Sequence, residues 1–427
     1  MDSFFPETRE IMSSVYISRR DILIGSGLAA LAGTAGCAGL TTLGSQKPGI
    51  TIPTYESIGV KPIINCWGAV TVLSGSLMLP EVKMAMEEAG RHYVAMEELI
   101  EAVGIRMAEL TGAEWGCVTS GAAAAIFAAA AACVAGADPR KILKLPDTAG
   151  MKNEAVVSRA HNNIYNISTC KMVGITLHEV DSKEDMEAAI NDKTAIMFIL
   201  GENSAPNHPS GGNISLEDMI AIGKKYGVPM LVDAAAERPD VPNFYLEAGA
   251  DMVCYSGGKH LRGPQCTGIL LGRRDLVFAA SRNISPFNGM GRPMKVGKEE
   301  IIGVLAALDL WINGRDHDAE WREWERKLTY IRDRINTIPA VKAKIIPPGR
   351  RSNVEPTLSI DWDENTVKIS RAELRQQLLD GEPRIAIALT RGDPLRSPGS
   401  AIRPDMMEDG DEIPVARRLY EVLSGAL

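Results

Sequence analysis

The stretch MVCYSGGKHLRGPQ, residues 252–265, sets one lysine, Lys259, in a small-residue loop directly behind the apolar run 252–255. A lysine in such a place forms a Schiff base with an aldehyde once partial desolvation lowers its pKa, and Ser256, Gly257 and Gly258 leave room for a flat ring to approach the backbone. A solvated turn lysine between glycines is the competing reading of this segment taken alone. The segments upstream decide between the two.

Three such segments each follow an apolar run. TSGAAAAI (119–126) comes after WGCV and opens an alanine-rich helix expected to reach Ala135. Strand, small-residue turn and helix N-terminus make an anion site, because free N–H groups and the positive end of the helix dipole face outward. Thr119, Ser120, Gly121 and Ala122 would cradle a phosphate there, unless Thr119 or Ser120 simply caps the helix. SRAHNNIYN (158–166) places His161 after AVV, where an imidazole can stack on a ring and reach a substrate oxygen, or serve as a structural residue at a strand end. MLVDAAAE (230–237) ends an apolar run in Asp233, and open α/β sheets place ligand-binding groups at the C-terminal ends of buried strands. Pyridoxal 5'-phosphate (PLP) needs such a carboxylate to keep its pyridine nitrogen protonated. Helix capping is the alternative role for Asp233.

With phosphate turn, histidine, aspartate and lysine in this order, the chain resembles the fold type I PLP-dependent enzymes, the aspartate aminotransferase superfamily. Within them it is similar to the selenocysteine synthase branch and to its relatives of the D-glucosaminate-6-phosphate ammonia-lyase type. The resemblance is carried by INCWGAVTVLSGSLMLPEV (64–82), ELTGAEWGCVTSGAAAAI (109–126), VDAAAE (232–237), YSGGKHLRGPQCTGILLGR (255–273), GRPMKVGKEEIIGVLAAL (291–308) and IRPDMMEDGDEI (402–413). It implies an α/β fold with a mostly parallel seven-stranded sheet and a smaller C-terminal α/β domain.

The same resemblance implies PLP as cofactor, with Lys259 as the Schiff-base lysine, Asp233 as the partner of the pyridine nitrogen and His161 as the stacking residue. Ser120, Gly121, Ala122 and Ser256 become phosphate ligands. Asn203 and Ser204 fall where the superfamily places a side chain near the ring hydroxyl, although ENSAPNHPSGG can equally make turns. Arg262, Arg391 and Arg403 are unranked candidates for the substrate carboxylate, since a planar guanidinium matches two oxygens. Arg292 and Lys295 would reach the site of a neighbouring subunit in a homodimer or higher oligomer, or else cap a helix facing solvent.

The expected reaction is α,β-elimination with ammonia release from a 3-hydroxy 2-amino acid or amino sugar acid, which makes the chain a carbon–nitrogen lyase. Lys259 would move the α-proton, and His161 or His260 would protonate the departing hydroxyl. His260 is open to a second reading as a packing residue beside the lysine loop. Two alternatives to elimination are an amino-acid racemase or epimerase and a catalytically silent PLP-fold binding protein.

At 427 residues and 45% apolar content, the chain can bury a large core and a second smaller one. Strand-like runs at 155–158, 174–180, 194–200, 230–236, 252–255 and 267–273 alternate with helical segments such as 214–226, and helical signal dominates from 298 to 336. PPGRRSN reads as a linker, after which TLSIDW (357–362) begins a small α/β unit with a helix at 371–379, a strand at 384–389 and a last helix at 411–423. The resulting division is 1–45 as export signal and linker, 46–310 as the PLP-binding domain with an N-terminal arm, and 311–427 as connecting helix and C-terminal domain.

Ser18-Arg19-Arg20 precedes an uncharged run of small and apolar residues, which reads as a twin-arginine export signal. That predicts a periplasmic enzyme, with the cytoplasm as the alternative if the run is a core helix or a mis-assigned start. A membrane attachment would require lipidation of Cys37. None of the seven cysteines forms a CxxC pair, so no metal site is expected. The net charge of −8 and the lack of a clustered basic block argue against a nucleic-acid partner and for a small amino-acid-like substrate.

Overall fold

The run TAIMFIL is apolar throughout, which suits a strand covered on both faces. It forms an interior strand of a seven-stranded sheet. The computed structural model describes residues 52–201, 214–348, 351–389 and 400–427. The chain divides into two units, Met1–Gly59 and Val60–Leu427. In the first, the described residues hold a 3-10 turn, Glu56–Ile58, closed by Gly59 in the left-handed region, φ 78°. Everything below concerns the second.

Its strands are β1 (Ile64–Cys66), β2 (Trp115–Thr119), β3 (Glu154–Ser158), β4 (Thr176–Val180), β5 (Thr194–Leu200), β6 (Met230–Asp233), β7 (Met252–Ser256), β8 (Gly268–Gly272), β9 (Val341–Ile346), β10 (Thr357–Trp362), β11 (Ile385–Leu389) and β12 (Ser400–Ile402). The large sheet has the order β2-β8-β7-β6-β5-β3-β4 and is parallel except for β8, which runs against both its neighbours. This is the α/β, mostly parallel seven-stranded architecture of the fold type I PLP enzymes. The strands match the apolar runs expected from the sequence to within two or three residues.

Three helices open the unit: α1 (Pro80–Gly90), α2 (Met96–Thr111) and α3 (Ala122–Ala135). Odd and even side chains of each central strand go to opposite faces. In β5, Met197 and Ile199 pack with Met107 of α2 and the helices Leu216–Tyr226 and Lys298–Asp309, whereas Ile196 and Phe198 pack with α3. α3 is buried almost all round, and its alanines let neighbours close in from every side.

The second sheet, β1-β11-β12-β10-β9, is covered by the helices His317–Ile335, Arg371–Asp380 and Glu412–Ser424. Two of its strands depart from the sequence reading. β9 precedes the linker and pairs antiparallel with β10, so the unit read as starting at Thr357 already includes Val341. β1 pairs in parallel with β11, Ile64 opposite Ile385, which brings the N-terminal arm into the C-terminal sheet. The helical stretch 298–336 is broken by a π turn, Leu310–Gly314, where Trp311 is buried.

Candidate active site

Strand register alone gathers the site residues. On β2, Thr119 stands opposite Gly268 of β8, and Gly268 stands opposite Ser256 of β7. One strand further, Cys254 of β7 faces Asp233 of β6, and Asp233 faces Leu200 of β5. Adjacent strands lie about 4.8 Å apart, so the phosphate turn, Ser256, Asp233 and the end of β5 share one sheet edge. Lys259 sits three residues beyond β7 in the turn at that edge, half-buried. His161 closes the row: it ends the 3-10 turn Arg159–His161 after β3, is fully buried, and its Nδ1 accepts the Leu200 N–H at 3.1 Å. With Nδ1 occupied as an acceptor, the neutral ring carries its proton on Nε2.

The turn into α3 has the features of an anion cradle. Gly121 adopts φ 85°, open to glycine and strained for other residues, and no side chain caps the helix, so no side-chain acceptor competes with a ligand for its N-terminal end. Thr119 spends its hydroxyl on the Gly121 carbonyl, at 2.9 Å, and not on the helix N-terminus. The cap role open to Thr119 or Ser120 in the sequence is therefore not taken. Gly268 explains why β8 starts with a glycine: a Cβ there would lie 2.5 Å from the Gly121 carbonyl carbon and 2.6 Å from the Ala122 nitrogen. β8 and the turn are in backbone contact.

Asp233 is 8% exposed and takes the Ala235 N–H on Oδ1 at 3.1 Å. The Cys254 thiol lies 4.0 Å from the same oxygen. Burial and the Asp233 charge push that thiol well above its ordinary pKa, while Lys259 pulls it down, so the carboxylate and the ammonium both act on one sulfur. A buried acid lies against Cys254 and the half-buried lysine acts on it through its charge, with an uncapped helix N-terminus two strands away. This donor set fits PLP: Lys259 would hold its aldehyde, Asp233 its ring nitrogen, His161 its face, and Ser120, Gly121, Ala122 and Ser256 its phosphate.

His260 does not join this row. Burial, with help from Arg403, Arg238 and Arg315, presses its pKa down to about 3, and its ring packs 6.3 Å from Trp311. The ring is held neutral at neutral pH, and its contact with Trp311 favours the packing role. Arg403 follows β12, donates its N–H to the Cys66 carbonyl and forms an ion pair with buried Glu355. Arg262 donates Nε–H to the Leu77 carbonyl at 2.9 Å. Arg292 and Lys295 are exposed. Asn203, Ser204 and Arg391, like the export signal, lie outside the described residues.

Two residues gain importance that the sequence did not assign. Cys254 was quoted only as part of an apolar run, yet strand alignment alone would have set it beside Asp233. Glu237 closes the VDAAAE motif; it is 4% exposed, accepts the Tyr245 hydroxyl at 2.6 Å and pairs with Arg351 at 3.3 Å. Burial outweighs both partners and raises its pKa to about 6. Among the described residues no cluster of His, Cys, Asp and Glu could hold a metal, and no helix is long and apolar enough to cross a membrane.

Fold and site together define a PLP-dependent enzyme. Residues 70–275 match the family described as Cys/Met metabolism PLP-dependent enzyme. The chain is 31% identical over 387 residues to 5'-C-glycyluridine monooxygenase-decarboxylase of Streptomyces sp, covering 88% of this chain and 94% of that one. It is 34% identical over 269 residues to D-glucosaminate-6-phosphate ammonia lyase of Salmonella typhimurium, covering 61% of this chain and 70% of the relative. The solved structure of a D-glucosaminate-6-phosphate ammonia-lyase superimposes with a TM-score of 0.74 at 28% identity, over 88% of this chain and all of that one. The chain belongs to the fold type I PLP-dependent enzymes, in the group that joins these ammonia-lyases to the selenocysteine synthases.

Proposed function

We propose that this enzyme catalyses α,β-elimination, releasing ammonia from a 2-amino acid with a 3-hydroxyl, an amino sugar acid in particular. The observation that carries the reading is the row His161, Asp233, Lys259 and the 120–122 turn along one sheet edge, in a chain whose likeness to an ammonia-lyase extends over most of its length. PLP, when bound, supplies an electron sink for the α-carbon. Asp233 keeps a proton on the ring nitrogen by its negative charge. Lys259, which would hold the cofactor, would also be the base that takes the α-proton. His161 has only Nε2–H to donate, because Leu200 holds Nδ1, and that N–H would hydrogen-bond the departing hydroxyl.

The similarity to a monooxygenase-decarboxylase along almost its full length favours a second reading, oxygen-dependent loss of CO2 from a glycyl group. Incubating the holoenzyme with D- and L-amino acids and amino sugar acids under argon separates the two. Ammonia and a 2-oxo acid in equal amounts without oxygen is the expected result. CO2 formation that stops without oxygen would replace elimination by the second reading, and α-proton exchange without ammonia would replace it by racemisation.

The reading extends to a homodimer or larger homo-oligomer. Met84, Tyr93, Val94 and Ile105 are exposed apolar side chains along 84–105, and such a concentration is what a partner subunit covers. It extends also to export by the twin-arginine route, supported by Ser18-Arg19-Arg20 and the apolar run behind it. Cell fractionation is expected to recover the enzyme in the periplasm, and Arg19→Lys with Arg20→Lys to retain it in the cytoplasm. An unchanged distribution in the double variant would exclude that route.

A further inference from the structure

The lysine loop closes its own base. Gly257 donates its N–H to the Thr267 carbonyl at 2.8 Å, Gly263 bonds back to the Gly257 carbonyl at 2.8 Å, and the Arg262 N–H meets the Lys259 carbonyl at 2.9 Å. The tip is held from outside. Arg315 donates Nη1–H to the carbonyl of His260, the residue after Lys259, at 2.6 Å and from 55 positions further along the chain.

Arg315 is itself fixed. Glu320 takes its Nε–H and Nη2–H at 2.7 and 2.9 Å, a planar fork on a carboxylate. Its guanidinium carbon lies 4.6 Å from the centre of the buried Trp311 ring, and its side chain is 9% exposed. Each guanidinium nitrogen thus serves a protein partner, which suits a group that holds the loop and not one that binds substrate.

The place of Arg315 follows from the break in the helical stretch 298–336. Its N–H closes the π turn on the Leu310 carbonyl at 2.9 Å, and Asp316 then caps the helix His317–Ile335 by accepting the Ala319 N–H. Glu320 stands in the first turn of that helix, where the dipole favours a carboxylate. His317 donates Nε2–H to the Trp311 carbonyl at 2.8 Å and ties the two sides of the break together. Turns of this kind recur at functional sites, and this one delivers its next residue to the lysine loop.

We propose that Arg315 is a positioning residue for Lys259: by gripping the His260 carbonyl it fixes the backbone from which the lysine side chain rises, and so sets the approach of the amine to the cofactor aldehyde. The proposal rests on Lys259 as the cofactor lysine and not on the reaction that follows. A flexible four-carbon stem reaches many places, and pinning the backbone one residue away narrows them.

The test times the attachment step. Full-length enzyme, freed of its cofactor by hydroxylamine and dialysis, is mixed with increasing PLP and followed by absorbance. The Lys259 amine adds to the aldehyde carbon, water departs, and the rate rises to a plateau set by that covalent step. The PLP concentration at half the plateau reports non-covalent binding by the phosphate turn, Asp233 and His161. Arg315→Met is expected to lower the plateau about tenfold or more, the worth of one charge-assisted hydrogen bond, and to leave the half-plateau concentration within about twofold. Arg315→Lys, which keeps the charge and one donor, should recover part of the loss. Glu320→Gln unfastens half of the fork and should lower the plateau by a smaller factor; it serves as the reading if the Arg315 variants do not fold. An unchanged plateau in the variant read overturns the proposal. So does a change of plateau and half-plateau concentration by the same factor, the signature of a site lost as a whole. A wild type that binds PLP without attaching it overturns the proposal together with the cofactor role of Lys259. The expected plateau effect in an enzyme that releases no ammonia upholds the proposal and refutes only the elimination.

Discussion

Removing the Lys259 amine takes away both the cofactor's attachment and the base beside the α-carbon. Lys259→Ala should therefore lower kcat by about 10²–10⁴-fold and abolish cofactor fixation by borohydride. Label recovered by peptide mapping on another lysine would sink the assignment. Glu237 offers a second test, through pH. Its ordinary pKa of 4.5 rises to about 6 in the fold, so between these values the folded state holds the proton that the unfolded state has lost. Stability from this group accordingly falls as pH rises from 4.5 to 6, by about 2 kcal/mol, and the penalty is complete above that. Urea unfolding of wild type and Glu237→Gln should show the wild type losing about that much relative to the variant across this window; parallel curves would mean that Glu237 titrates normally. The roles proposed for Lys259, Asp233 and His161 could be read in the sequence because each follows its own short apolar run. Glu237 could not be, since its partner Arg351 arrives from more than a hundred residues away.

At the scale of elements, the contact between β8 and the turn into α3 makes a sharp prediction. Gly268→Ala drives a methyl into the backbone of Gly121 and Ala122, neither of which can rotate away as a side chain would. The expected cost is about 1–3 kcal/mol of stability, with a raised Kd for PLP on reconstitution of the apoenzyme followed by absorbance. A Kd equal to that of wild type would show that the turn does not bind the phosphate. The strands around this contact were legible because burial on both faces writes them as unbroken apolar runs. β9 left a signal too, in the alternation of Val341, Ala343 and Ile345 with lysines. β1 left none, because three residues carry no period, and its place is set by a parallel partner hundreds of residues downstream.

For the whole molecule, light scattering of the purified holoenzyme is expected to give a dimer or larger assembly, and Met84→Glu with Tyr93→Ser to shift it towards monomer with loss of turnover. A wild-type protein that runs as monomer at working concentration would remove the role given to Arg292 and Lys295. The cavity between Leu77, the 260–262 loop, the 315–327 segment and the 405–409 loop was invisible in the sequence. Its walls come from four separated segments, and no local pattern announces that they meet.

The pairing of Ile64–Cys66 with Ile385–Leu389 bears on how the protein is made. A strand synthesised near the beginning must wait for one near the end, and at the usual ~5–20 residues per second that delay on the ribosome runs to tens of seconds. Until then the second sheet lacks the strands that join its outermost member, Ile64–Cys66, to the rest, and Cys66 lacks its cover. A chain cut short anywhere before residue 385 would leave that segment unpaired, a handle by which quality control could tell unfinished copies from finished ones.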